Sequence, residues 1–167
     1  TRRGWGVNYN FLLSVQNLKV HFPLKRKLLI GKRSVVHAVD GVTLNIRRGT
    51  TFGIVGESGS GKTTTALAVM RLVPITAGTI DLNGIQIHQL ENDDLRQVRQ
   101  HMQIIFQDPY SSLNPRVRAG AIIREPMDLM NVGDVSERDD EVKRLMSAVG
   151  LRAEQRALFP HQFSGGQ

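Results

Sequence analysis

Cysteine is absent from the 167 residues, which excludes disulfides and thiolate metal sites. Aromatic residues are few, with one Trp, two Tyr and six Phe. They do not interleave with basic residues as in proteins that stack single-stranded nucleic acid. No apolar run reaches the about 20 residues that a membrane-spanning helix needs. The opening Thr1-Arg2-Arg3-Gly4-Trp5 carries neither an initiating Met nor a signal-peptide core, so the chain reads as a piece of something longer. What remains is a globular composition, 40% hydrophobic, of a length that suits one domain with a real core.

Charge is unevenly placed. Residues 1–50 carry ten Lys/Arg against Asp40 alone, a balance of +9, whereas the remainder carries 12 basic and 14 acidic residues, a balance of −2. A basic first third is one signature of nucleic-acid or anionic-lipid binding. Here, however, Lys25-Arg26-Lys27 and Lys32-Arg33 flank Leu28-Leu29-Ile30-Gly31, with Pro23 before them. That is the pattern of a solvated basic loop between strands, and no nucleic-acid partner is expected.

The most informative stretch is Gly56-Glu57-Ser58-Gly59-Ser60-Gly61-Lys62-Thr63, which fits G-x-x-x-x-G-K-[ST], the phosphate-binding loop of nucleoside triphosphatases. Glycines let the backbone wrap closely around an anion while successive N–H groups point inward. The helix that follows adds its dipole. Lys62 would reach the β- and γ-phosphates, and the Thr63 hydroxyl would ligate Mg²⁺. The context agrees: TFGIV (51–55) reads as a short buried strand and KTTTALAVMRL (62–72) as a helix ended by Pro74.

Elsewhere, residues 12–22 read as a strand ending at Pro23. Residues 35–39 and 42–46 flank an Asp40-Gly41 turn signal and read as two strands, and residues 78–82 and 85–87 form a hairpin around Asn83-Gly84. MQIIF (102–106) reads as a strand buried on both faces. Helices follow. Residues 117–130 are one candidate, with Pro126 as a break point. Residues 136–149 are another: Val142, Leu145, Met146 and Val149 share a face, Ser136 caps the start and Gly150 ends it. The five histidines show no metal-ligand spacing, and structural or surface roles are expected for them.

The chain ends in Phe163-Ser164-Gly165-Gly166-Gln167, whose paired glycines could form another backbone nest for an anion. With the phosphate loop roughly a hundred residues earlier and a helical region between, the sequence resembles the ATP-binding subunit of an ABC transporter. Four ordered motifs carry the resemblance: the phosphate loop, Gln107 in IIFQDP, the helical segment and SGGQ. QDPYSSLNPR (107–116), HFPLKRKLLIGKR (21–33), VVHAVDGV (35–42) and FPHQFSGGQ narrow it to the dipeptide and oligopeptide importer ATPases, a group whose members also serve nickel, glutathione and peptide-antibiotic uptake.

The resemblance implies an α/β fold of the ABC type. An N-terminal antiparallel β region and a partial RecA-like core, with a parallel sheet left incomplete, would span residues 1–110. A helical subdomain ending in the signature would span residues 111–167. It implies ATP and Mg²⁺ as ligands. Nucleotide contacts would fall on Phe22 (stacked on adenine), Gly56, Glu57, Ser58, Gly59, Ser60, Gly61, Lys62, Thr63 and Thr64. Ser164, Gly165, Gly166 and Gln167 would contact the ATP held by a second, identical or homologous, subunit. Lys62 and Gln107 would be catalytic, and Thr63 and Gln107 would hold the metal. Further implied partners are transmembrane permease subunits, docking near residues 108–116, and indirectly an extracytoplasmic substrate-binding protein. The implied location is peripheral, on the cytoplasmic face of the inner membrane.

The family supplies a water-orienting Asp-Glu strand end and a histidine after the signature, beyond Gln167. This segment alone is therefore expected to be catalytically silent, marginally stable and prone to aggregate through the edges of strands 51–55 and 102–106. Alternative readings are a nucleotide-binding module that never hydrolyses, a non-transport relative acting in translation or DNA repair, and, more remotely, a nucleotide kinase, which would not need SGGQ.

Overall fold

A computed structural model describes residues 11–24, 34–108 and 112–167. The basic segment at 25–33 and the start of the PYSS stretch, residues 109–111, lie outside the described residues. The described chain forms two compact units, one up to Met102 and one from Gln103. This division falls a little before the boundary at 110/111 suggested by the sequence.

The first unit is built on a four-stranded antiparallel sheet in the order β2-β1-β3-β4. Its strands are β1 (Leu13–Pro23), β2 (Val35–Ile46), β3 (Ala77–Leu82) and β4 (Ile85–Gln86). Alternation along β1 turns Val15, Leu18 and Val20 into the core, each fully buried. The step from Val15 to Leu18 is three residues rather than two because β1 bulges there against β2. Asn17, with φ 48°, absorbs the extra residue, and its N–H donates to Thr43 Oγ1 at 2.9 Å. Asp40-Gly41 is likewise a bulge and not the turn suggested by its composition. β2 runs unbroken through it, and the register steps from Leu18 opposite Val42 to Lys19 opposite Asp40, with Gly41 at φ 84°. Two consecutive β1 partners hold β2 extended on either side, which overrides the local turn preference. The Asn83-Gly84 hairpin forms as expected, closed by Gly84 N–H donating to Asp81 Oδ1 at 2.8 Å.

Helix α1 (Lys62–Val69) lays Ala68 on the sheet, and α2 (Asn92–Arg99), which the sequence reading did not place, adds Val98. Val39, Ile80 and Ile87 complete this core. Arg99 ties α2 to the end of α1 by donating from Nη2 to the Arg71 carbonyl at 2.6 Å.

Two expected strands do not form. Residues 51–55 and 102–106 have no ladder partner among the described residues. Val55 is 96% and Ile105 94% exposed, with Phe52, Ile54 and Phe106 near half. A parallel core strand is held by neighbours on both edges and layers on both faces. Apolar sequence alone does not supply them, so these two segments display the side chains that a completed parallel sheet would bury.

The second unit packs α3 (Ala119–Met130) against α4 (Arg138–Ala148). Pro126 sits inside α3 without ending it; Asn131, in the left-handed region at φ 51°, does so. Met146 and Val142 are buried from α4. The helix closes with Gly150 N–H donating to the Ser147 carbonyl at 3.0 Å and Leu151 N–H to that of Met146 at 2.9 Å, the paired bonds of a Schellman ending. Ser136 does not cap α4 as expected: its N–H and hydroxyl both donate to Asp134 Oδ1, at 2.8 and 2.6 Å.

Arg138 is 5% exposed. Its guanidinium donates to Asp128 Oδ1 at 2.7 Å, Asn131 Oδ1 at 3.1 Å and the carbonyls of Val132 and Gly133 at 3.0 and 3.3 Å. The Arg138 hydrogen bond, reinforced by Arg124, holds the Asp128 carboxyl below its usual range. Ser136 does the same for Asp134, Lys143 for Asp140 and Arg144 for Glu141. A carboxyl depressed on folding contributes stability above its unfolded value, near pH 4, and loses it as pH falls through the folded value. The melting temperature of the helical unit is therefore expected to drop as pH is lowered below about 4. Asp128→Asn should shrink that drop; an equal drop in wild type and variant would contradict the assignment.

Candidate functional site

The residues of the phosphate-loop motif form one exposed loop running into α1. Ser60 N–H donates to the Glu57 carbonyl at 3.2 Å, and Gly59 and Gly61 take positive φ of 83° and 87°. Gly61 is the N-cap of α1, and no side chain caps the helix there. The first-turn N–H groups therefore keep their capacity for an incoming acceptor. The first turn also carries no acid, so nothing on it opposes the favourable interaction of an anion with the helix dipole.

The loop is fixed from below. A Cβ built on Gly61 would lie 2.3 Å from the Ala38 carbonyl oxygen and 3.4 Å from Val39 Cγ2. The start of α1 thus rests directly on β2, closer than any side chain permits. Thr65, 4% exposed, anchors the next turn by donating from Oγ1 to the Gly61 carbonyl at 2.9 Å.

Lys62 folds back across the loop. Its Nζ donates to the carbonyls of Gly56 at 2.8 Å and Glu57 at 2.6 Å, with Ser60 Oγ at 3.5 Å. A compact ammonium with three donors, held over exposed carbonyls, can transfer a donor to a phosphate oxygen without leaving the loop. Thr63 is exposed at the second position of α1 and Thr64 is half-buried. Backbone N–H groups of the loop, a lysine point charge and an exposed hydroxyl form a donor set that fits a polyphosphate with a hard divalent cation.

Phe22 is half-buried and packs against the sheet core. Gln107 is exposed on a bend in the second unit. Ser164, Gly165, Gly166 and Gln167 make a tight turn there. Ser164 N–H donates to Gln167 Oε1 at 3.1 Å, and Gln167 N–H returns to the Ser164 carbonyl at 2.9 Å. The same device recurs twice upstream, where Gln155 accepts from Arg152 N–H and Gln162 from Phe159 N–H, each at 2.8 Å. The turn borders an apolar cavity of about 250 Å³ between the helices, lined by Ile122, Ile123, Met146, Leu151 and Phe163. Residues 56–64 thus form a single site, whereas Gln107 and residues 164–167 belong to the other unit.

Linear spacing also concealed a constellation on β1 and β2. His21 and His37 face each other across the strands with ring centroids 4.0 Å apart, and Asp40 closes on both.

Comparison with known proteins agrees with this geometry. The family model described as ABC transporter matches residues 39–167. The oligopeptide transport ATP-binding protein AppF of Bacillus subtilis is 41% identical over 162 residues, covering 96% of this chain and 49% of AppF. The putative oligopeptide transport ATP-binding protein YkfD of the same organism is 45% identical over 157 residues, covering 93% and 46%. The glutathione import ATP-binding protein GsiA of Pectobacterium atrosepticum is 44% identical over 156 residues, covering 93% and 25%. The chain thus spans half or less of the length of these relatives. Among solved structures, the dimeric post-hydrolysis state of the ATP-binding cassette MJ0796 bound to ADP and Pi superposes with a TM-score of 0.75 at 25% identity, over 93% of this chain and 64% of that one. With the family model covering most of its length and ATP-binding cassettes sharing its fold, the chain belongs to the ABC transporter family.

Proposed function

We propose that this chain is the nucleotide-binding part of an importer ATPase, which holds ATP with Mg²⁺ and, in the whole protein, couples hydrolysis to the uptake of peptides or peptide-like solutes. The observation that carries this reading is the uncapped start of α1, seated on β2 through Gly61 and bridged by Lys62. The names of its relatives, oligopeptide transport and glutathione import proteins, support the substrate class.

In this reading the N–H groups of residues 57–63 cradle the phosphates, Lys62 spans the β- and γ-oxygens and Phe22 packs against the base. The Thr63 hydroxyl and Gln107 would hold Mg²⁺, which would supply positive charge against the charge that develops on the phosphates. Gln107 also orients the attacking water. Residues 164–167 address the nucleotide of a second ATPase subunit, so catalysis belongs to a dimer. Permease subunits receive the conformational change, and a substrate-binding protein delivers the solute on the far side of the membrane. No helix among the described residues is long and apolar enough to cross a membrane, in keeping with peripheral attachment at the cytoplasmic face of the inner membrane.

The test uses the whole protein. Ser164→Arg places a long cation in the tight turn, in the unit that does not carry the phosphate loop. It is expected to leave ATP binding by single subunits intact while abolishing ATP-dependent dimerisation, read by light scattering, and hydrolysis. Dimerisation that survives this change would refute the sandwich arrangement.

A further inference from the structure

We propose that His21, His37 and Asp40 form a divalent transition-metal site that staples β1 to β2, separate from the nucleotide loop. His21 and His37 are cross-strand partners, and their rings stack with an interplanar angle of 28°. Each turns a nitrogen to one carboxylate: His21 Nε2 lies 3.5 Å from Asp40 Oδ1, and His37 Nδ1 lies 3.6 Å from Asp40 Oδ2. One ligand atom from each residue falls within 4.8 Å of the others. Zinc–nitrogen and zinc–oxygen bonds of about 2.0–2.2 Å set the edges of a tetrahedral site at roughly 3.3–3.6 Å. Each separation is near that edge length, but to a different oxygen of Asp40, so a rotation of the carboxylate is what would bring one oxygen to both nitrogens; both separations exceed a normal hydrogen bond.

A second observation is independent of the spacing. His21 Nε2 is buried and makes no hydrogen bond. A buried polar atom without a partner is costly, and a cation at the centre of the cluster would satisfy it. His37 and Asp40 side chains are 56% and 50% exposed, which leaves an entry path and a fourth position for water. Two imidazoles and one carboxylate suit Zn²⁺, Co²⁺ or Ni²⁺ rather than Mg²⁺ or Ca²⁺.

The site contains its own competitor. Lys19 Nζ sits 2.9 Å from Asp40 Oδ1 and neutralises the carboxylate that the ion would use. Removing this ammonium should tighten metal binding, whereas a merely structural Lys19–Asp40 pair predicts nothing of the kind. The bulge at Gly41 is what places Asp40 opposite Lys19 and on the histidine side.

The experiment titrates Co²⁺ alone, without nucleotide, into the whole protein and follows visible absorption and calorimetric heat. One equivalent of Co²⁺ with the intense bands of tetrahedral coordination is expected. His37→Ala, at an exposed position, should weaken binding at least ~tenfold, and Lys19→Gln should strengthen it roughly three- to tenfold. Thermal melts of the metal-free variants show whether each is folded, and Lys19→Gln reports on the site even if His37→Ala is not. No tetrahedral spectrum, Co²⁺ binding unaltered in folded His37→Ala, or unaltered or weaker binding in Lys19→Gln would each overturn the proposal. The phosphate loop contributes nothing to these readouts, so the result is independent of the ATPase reading.

Discussion

Replacing Lys62 by alanine is expected to weaken ATP binding by the whole protein about 100-fold and to remove measurable hydrolysis. Lys62 is the only lysine the structure places over residues 56–60 among those described, and it reaches the loop through two carbonyls and one hydroxyl. Those contacts are exposed and local, so losing them costs little folding energy, whereas the ammonium's contact with phosphate is a charge-assisted hydrogen bond and counts for more. A fluorescent ATP analogue titrated into both proteins measures the difference. Lys62→Arg separates charge from shape: the planar guanidinium keeps the charge but cannot place a point donor between two phosphates, so it should recover binding in part and hydrolysis scarcely at all. Equal nucleotide affinity in wild type and Lys62→Ala would remove Lys62 from the site.

Gly61→Ala is expected to damage both the first unit and its nucleotide loop. The backbone at φ 87° already penalises any side chain, by about 1–2 kcal/mol. The new carbon would also stand 2.3 Å from the Ala38 carbonyl oxygen, and the overpacking adds about 1–3 kcal/mol. Relief requires α1 to lift from β2, which moves the helix start that the phosphates would address. Stability and nucleotide affinity should therefore fall together. Gly59→Ala is the matched control. Its φ is 83°, yet nothing lies within 4 Å of its added carbon, so it pays the backbone penalty alone. Thermal melts of the two variants decide the matter, with Gly61→Ala expected to melt lower. If Gly59→Ala melts as low, the contact with β2 is not what fixes the loop.

The loop itself was legible because its chemistry is local: glycines, a lysine and a threonine at fixed offsets perform the function wherever a strand-like segment meets a helix. The hairpin at Asn83-Gly84 and the Gly150 ending were legible for the same reason, each being specified within a few residues. What sequence reading missed depends on partners distant in the chain. Asp40-Gly41 carries turn chemistry but becomes a bulge because β1 pairs on both sides of it. Residues 51–55 and 102–106 have strand composition, yet a parallel strand requires neighbours that no local pattern provides. Val55 and Ile105, almost fully exposed, are the clearest sign of those missing neighbours. The His21–His37–Asp40 cluster was invisible for a simpler reason: its members meet only through the β1–β2 register.

The central claim is that the backbone of residues 57–63 receives the triphosphate, and hydrogen exchange of the whole protein with and without MgATP tests it most directly. The amides of Gly59, Ser60, Gly61, Lys62 and Thr63, in the loop and first turn, should become strongly protected on MgATP binding, while the hairpin amides around Asn83 and Gly84 stay unchanged. Exchange in residues 57–63 that is the same with and without saturating MgATP would contradict the account.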